Sequence, residues 1–362
     1  MHLHRLFPLA LTAALAATSS APLMAQTTPQ QEAAIDKLMS RYDGRVPGAS
    51  LLVLKDGRPA VRKSWGYADL QHGVRATPKT NYRLASVSKQ FTAATILLLA
   101  EDGRLSVDDP VRKWLPTLPP ATQDIRIRHL LSHTSGLIDY EDVMDADQQR
   151  QLHDADVLKL LETQDKLYFP PGTDYRYSNS AYCLLSLIAE KASGQPFPAL
   201  VKSRIFDKLG MDASVVHVEG EDTVANRAYG NSEIDGKWVR TDQSPTSATL
   251  GDGGVYSSID DLAKWDAALY DERLLKASSL HEAFSPKTRT PEPDVPYYGY
   301  GWRINGDALW HSGETIGGRN VILRYPKERL TVILLSNRND PEPYRIALQI
   351  AALFRNPGEG NE

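Results

Sequence analysis

The chain has 362 residues, with 41 Lys plus Arg against 45 Asp plus Glu and a formal charge of −4. That length points to one large domain or two modest ones, and the balanced charge excludes the basic face that nucleic-acid binding needs. A single cysteine, Cys183, excludes an internal disulfide framework, a multi-cysteine zinc site and a cysteine-held iron–sulfur cluster.

Residues 1–25 carry one charge, Arg5, ahead of an apolar run over 6–17 and a small-residue exit. This is the layout of a secretory signal, with cleavage expected after Ala25. The run is too short to span a membrane, and no cysteine stands near the cleavage point to take a lipid. The mature chain is therefore expected to be periplasmic or secreted, without a stable membrane anchor.

A helix is predicted over 33–42, then a strand over 49–54, a hairpin turn at Asp56–Gly57 and a returning strand over 61–68. Residues 87–101 read as a helix apolar on nearly all sides, hence buried, with Asp102–Gly103 as its stop. The stretch 110–214 is poor in strand patterns and offers helices over 127–131, 155–162, 181–192 and 196–209. Strand-like runs return over 298–304, 308–314, 321–325 and 330–335, and a helix closes the chain over 344–354. This order predicts a sheet built from both ends of the chain with a mostly helical insertion between them. The expected division is 26–109 with 215–362 as an α/β unit, and 110–214 as a helical unit.

Several chemistries are absent. There is no Gly-x-Ser-x-Gly elbow and no phosphate loop, and Tyr256 stands where a dinucleotide loop over Gly251–Gly254 would need its last glycine. His129 and His133 lie one helical turn apart, but Leu130 replaces the Glu that a zinc protease would require. No metal or cofactor is expected.

Ser86-Val87-Ser88-Lys89 lies where the buried helix should begin. Residues three apart share a helix face, so a lysine freed of its proton can activate the serine hydroxyl. Tyr177-Ser178-Asn179 precedes the helix at 181. A phenol near an ammonium becomes a usable base, and Asn179 can orient a substrate amide or hold Lys89. His311-Ser312-Gly313 falls in a strand-like run, where glycine lets a substrate backbone approach the strand edge.

The three motifs in this order resemble the serine β-lactamase and penicillin-binding family, in particular its class C-like branch of D-alanyl-D-alanine carboxypeptidases and carboxylesterases. The resemblance extends through Tyr82–Ala85, residues 127–137, Gly253–Ser258 and Tyr298–Trp302. It implies an α+β, β-lactamase/transpeptidase-like fold, an antiparallel sheet flanked by helices. It also implies roles: Ser86 as acylated nucleophile, Lys89 and Tyr177 sharing the general-base work, Asn179 placing the substrate, and His311, Ser312 and Gly313 lining the strand side. The backbone N–H groups of Ser86 and Glu314 would form the oxyanion hole. His129 and His133 look like loop scaffolding.

The third motif begins with His311 where many β-lactamases carry lysine. A histidine is mostly neutral at pH 7, so weaker carboxylate capture and weak or no β-lactam hydrolysis are expected. Arg319 could replace that charge, but a surface ion pair is the favoured reading for it. The expectation is a monomeric, exported serine hydrolase of small ester, peptide or β-lactam-like substrates. The alternative is a non-catalytic module that binds penicillin or cell-wall peptides as a stable adduct.

Overall fold

A computed structural model describes residues 27–355 of the chain. The signal-like segment over 1–25 and its expected cleavage point lie outside the described residues. The largest element is an eight-stranded antiparallel sheet. In chain order its strands are β1 (Ala49–Lys55), β2 (Arg58–Trp65), β3 (Thr288–Arg289), β4 (Tyr297–Tyr298), β5 (Arg303–Asn305), β6 (Ala308–Thr315), β7 (Gly318–Tyr325) and β8 (Leu330–Ser336). In space they run β3-β4-β5-β6-β7-β8-β1-β2. β8 pairs with β1 from Ala49↔Ser336 to Lys55↔Leu330, so strands from the N-terminal and C-terminal parts of the chain are joined within one sheet. The fold is the α+β, β-lactamase/transpeptidase architecture.

Alternation along the strands explains the layers. Leu51, Val53, Val321, Leu323, Val332 and Leu334 face one side, where α1 (Pro29–Met39) and α6 (Pro343–Ala352) cover them through Ile35, Met39, Ala347 and Ile350. Leu52, Ile322, Ile333 and Leu335 face the other side, toward α2 (Lys89–Glu101) and α5 (Ile259–Ala268). Because both faces are covered, β8 is apolar and buried at nearly every position rather than at every second one. Between these strand-bearing ends, no strand lies within 110–214 among the described residues. That stretch contributes α3 (Asp154–Glu162) and α4 (Asn179–Ser193), and α4 packs on α2 and α3. No helix among the described residues is long and apolar enough to cross a membrane.

Three local expectations are corrected. The run 298–304 is not one strand but β4 and β5, parted by a turn. There Gly301 (φ 76°) lies so close to α2 that a Cβ would sit 2.9 Å from the Lys89 carbonyl oxygen. The helix expected over 196–209 is broken into Phe197–Val201, a wider π turn at Lys202–Phe206 and Asp207–Leu209. The buried helix begins not at 87 but as a 3-10 turn, Ala85–Ser88, that becomes α2 at Lys89. The helices α5 and Ala277–Phe284 and the hairpin Asn231–Ile234/Lys237–Arg240 were not anticipated.

Candidate active site

The tight turn at the head of α2 holds Ser86 half-buried. Ala85, just before it, has φ 48°, a left-handed conformation that costs a non-glycine residue roughly 1–3 kcal/mol. The turn is held on several sides. Leu84 N–H donates to the Val255 carbonyl at 2.8 Å, Val255 N–H to Ser88 Oγ at 3.1 Å, and Asn320 Nδ2 to the Arg83 carbonyl at 2.8 Å. Backbone strain at Ala85 is thus supported by both the sheet and the 251–257 segment.

Lys89 is completely buried. Its Nζ donates to Ser86 Oγ at 3.0 Å, Asn179 Oδ1 at 2.8 Å and the Asp252 carbonyl at 3.0 Å. Three acceptors around one amine match its three possible donors. The same Nζ lies 4.9 Å from the centre of the Tyr177 ring, whose hydroxyl is buried without a partner. The structure therefore brings Ser86, Lys89, Tyr177 and Asn179 together, although Asn179 is 90 residues from Lys89 in sequence.

Local chemistry positions the middle motif. Ser178 caps α4, its Oγ accepting from Ala181 N–H at 3.1 Å, and Asn179 N–H donates to Asp139 Oδ2 at 2.8 Å. Ser178 N–H donates to His133 Nδ1 at 3.1 Å, and the His133 ring stacks 4.3 Å from that of Tyr177. His133 is therefore the wall behind Tyr177. Burial, reinforced by the Lys89 and Arg303 charges, holds its pKa well below the ordinary value, so it packs there as a neutral ring.

The third motif lies on β6 against the same turn. A Cβ on Gly313 would be 2.0 Å from the Leu84 carbonyl oxygen and 3.2 Å from Ser86 N; only glycine lets the strand run this close to the Ser86 turn. His311 is buried, its Nδ1–H donating to the Ser312 carbonyl at 2.6 Å and its Nε2 accepting from Tyr298 Oη at 2.9 Å. Burial first, then Arg303 and Lys89, push its pKa well below the ordinary histidine value, so it brings no positive charge to the cleft. Glu314 is exposed and Arg319 donates to its Oε1 at 2.5 Å. Arg319 is thus the surface ion-pair partner expected.

Sequence reasoning missed two charged groups in contact with these motifs. Arg303 Nη1 donates to Ser312 Oγ at 3.1 Å, and its guanidinium lies 5.7 Å from the Tyr177 ring centre and 4.9 Å from that of Trp310. Glu141 Oε1 accepts from Asn179 Nδ2 at 2.8 Å. Neither residue belongs to a motif, and nothing in its local sequence marks it.

Behind Lys89, Asp154 accepts from Leu250 N–H (3.1 Å), Gly251 N–H (3.2 Å) and Ser186 Oγ (2.5 Å). It so fixes the segment whose next carbonyl, Asp252, receives Lys89. Among the described residues, Asp154, Cys183 and Asp252 form the one acid–thiol group with mutually close ligand atoms, all buried. A groove of about 960 Å³ between the β1–β2 hairpin and α5 contains none of these site residues.

The family model described as Beta-lactamase matches residues 30–355. The chain belongs to the beta-lactamase family. It is similar to penicillin-binding protein 4* of Bacillus subtilis, at 34% identity over 85% of this chain and 72% of that protein. It is also similar to a D-aminopeptidase of Gluconobacter oxydans, at 30% identity over 91% of this chain and 62% of that protein. Among solved structures, the octameric penicillin-binding protein homologue of Pyrococcus abyssi superposes with a TM-score of 0.79 at 28% identity, covering 91% of this chain and 78% of that one. The protein is thus a serine hydrolase of the beta-lactamase family, with peptidase and penicillin-binding relatives.

Proposed function

We propose that this beta-lactamase-family hydrolase cleaves small esters or amides through an acyl-enzyme on Ser86, in the manner of a carboxylesterase or a D-alanyl-D-alanine carboxypeptidase. Ser86 Oγ attacks the substrate carbonyl and its proton passes to the Lys89–Tyr177 pair. The C–O or C–N bond breaks, and Tyr177 returns the proton to the leaving alcohol or amine. Water then attacks the acyl-enzyme by the same route and releases the acid. Ser86 and Glu314 N–H groups hold the oxyanion, a function in which one donor contributes about 3–4 kcal/mol of barrier lowering. Asn179 fixes Lys89 and places the substrate, and His311, Ser312 and Gly313 form the strand wall.

The observation that carries this reading is the buried Lys89 amine 3.0 Å from Ser86 Oγ. A solvated lysine would be an ordinary surface group, whereas a buried amine spending its contacts on a hydroxyl, an amide and a carbonyl is placed to handle that hydroxyl's proton. The neutral His311 leaves the third motif without its cation, so strong β-lactam hydrolysis is not part of the reading. An exported location after loss of residues 1–25 belongs to the same proposal; N-terminal sequencing of the secreted or periplasmic protein checks it.

The test is fluorophosphonate labelling with mass mapping, run with p-nitrophenyl acetate turnover. We expect the label on Ser86, competed by short-chain esters, and no turnover by Ser86→Ala. Undiminished turnover by that variant would remove the nucleophile. A stable adduct with benzylpenicillin and no turnover of any ester or peptide would identify a binding module instead.

A further inference from the structure

The contacts around Ser86 run outward to opposite charges. On one side Ser86 Oγ touches Lys89, Lys89 touches Asn179, and Asn179 Nδ2 donates to Glu141. On the other side the nucleophile turn touches Gly313, and the neighbouring Ser312 Oγ accepts from Arg303. Glu141 is exposed and Arg303 half-buried, so both are open to a substrate. Neither is paired with an opposite charge among the described residues: Arg303 forms no ion pair and its Nε is buried without a partner, while the Glu141 carboxylate has Asn179 as its hydrogen-bond partner. Arg319, by contrast, is spent on Glu314.

We propose that the cleft selects unblocked dipeptides, with the substrate ammonium held at Glu141 and the substrate carboxylate at Arg303, on either side of the carbonyl presented to Ser86. The proposal rests on the Ser86 reading above and names the substrate class of that site. A dipeptide is the smallest peptide that carries an ammonium and a carboxylate on opposite sides of one amide, within about 7 Å of chain. Each added residue carries one of those charges roughly 3.3–3.6 Å farther along the extended chain. The reaction needs water alone: the peptide C–N bond breaks, the acyl half passes to Ser86 Oγ and then to water, and the amine half leaves as an amino acid. The surroundings agree with these assignments. Burial and the nearby Asp139 and Asp252 raise the Glu141 pKa, which marks a place where an added cation is welcome. The Arg303 charge helps keep His311 and His133 neutral, which leaves the guanidinium as the cation beside Ser312.

The experiment compares kcat/KM for alanyl-alanine, its N-acetyl form and its C-terminal amide, in the D,D and L,L series, on the full-length protein. Fluorophosphonate labelling of Ser86 and p-nitrophenyl acetate turnover gauge the site independently. We expect blocking either end to lower kcat/KM by about tenfold to a hundredfold in the preferred series, the range of a lost charge-assisted hydrogen bond. Glu141→Gln should abolish the penalty for N-acetylation and keep the penalty for amidation. Arg303→Gln should do the reverse, and Arg303→Lys should restore part of the preference for a free carboxylate. A residue that merely supports the fold would lower all substrates in parallel and leave these ratios alone. If Ser86 labels and turns over the ester but free and blocked dipeptides are cleaved alike, or not at all, this inference fails and the Ser86 reading stands. If Ser86 neither labels nor turns over any substrate, both fail.

Discussion

Replacing Gly313 by alanine tests the architecture with one methyl group. The added Cβ would lie 2.0 Å from the Leu84 carbonyl oxygen, 3.1 Å from its carbon and 3.2 Å from Ser86 N. All three are backbone atoms, so no side chain can rotate away. Relief requires the β6 strand and the 84–86 turn to separate by more than about 1 Å, and a misplacement of that size costs about a hundredfold in rate. Loss of an oxyanion donor on the same edge would cost a further hundredfold to a thousandfold, roughly. Stability should suffer less, by about 1–3 kcal/mol, the usual cost of overpacking, because β6 keeps its seven-pair ladder with β7. The assay is kcat for p-nitrophenyl acetate with the melting temperature measured in parallel. Gly318→Ala is the control: its Cβ would meet Ser336 O at 3.3 Å and Thr315 Cγ2 at 3.4 Å in the same hairpin, with no contact to the nucleophile turn. A folded Gly313→Ala protein with wild-type kcat would refute the argument that this strand and Ser86 act as one unit.

Lys89→Met keeps the buried volume and removes the amine, and Tyr177→Phe removes one oxygen. Each should lower kcat by orders of magnitude, and the double variant should fall little further, since residues acting as a unit are not additive; steady-state kinetics of the three proteins decides. Arg319→Ala should leave ester turnover near wild type and change stability by less than about 1 kcal/mol, as expected of an exposed ion pair. Burial, then Asp252, pushes the Asp154 carboxyl up to about 7, against about 3.9 in an unfolded chain. The folded state therefore binds the extra proton between these values. Its contribution, up to about 4 kcal/mol, is full below about pH 4 and lost as the pH rises to about 7. Melting temperatures at about pH 5 and about pH 8 should differ less for Asp154→Asn than for wild type.

The parts of this site that could be read in the sequence are those written in local spacing. Ser86 and Lys89 are one turn apart, and their contact follows from helix geometry. The short strands of the C-terminal region were legible because period-two burial and turn residues are local signals. The failures have a common cause. Residues 298–304 are apolar enough for one strand, yet the chain must turn where Gly301 meets α2, a contact between segments some 200 residues apart. The π turn at Lys202–Phe206 and the left-handed Ala85 are likewise imposed by packing rather than by propensity. Arg303 and Glu141 are ordinary charged residues in sequence. Only the folding of β5 beside β6, and of the 139–142 turn beside α4, gives them a site to face.

The same packing explains why the third motif retains glycine while its first position carries no charge. Gly313 is constrained by backbone contact with the nucleophile turn, a requirement independent of the substrate. Position 311 is different. Its side chain is enclosed by Tyr298 and its own strand, and burial favours the neutral ring. The cation stands instead one strand over, on Arg303, whose Nη1 donates to Ser312 Oγ. The Arg303 charge is not among the three hydrogen-bond partners of Lys89, which are Ser86, Asn179 and the Asp252 carbonyl. On the proposed reading, substrate choice rests on Glu141 and Arg303 and proton handling on Lys89 and Tyr177, with Asn179 touching both Lys89 and Glu141.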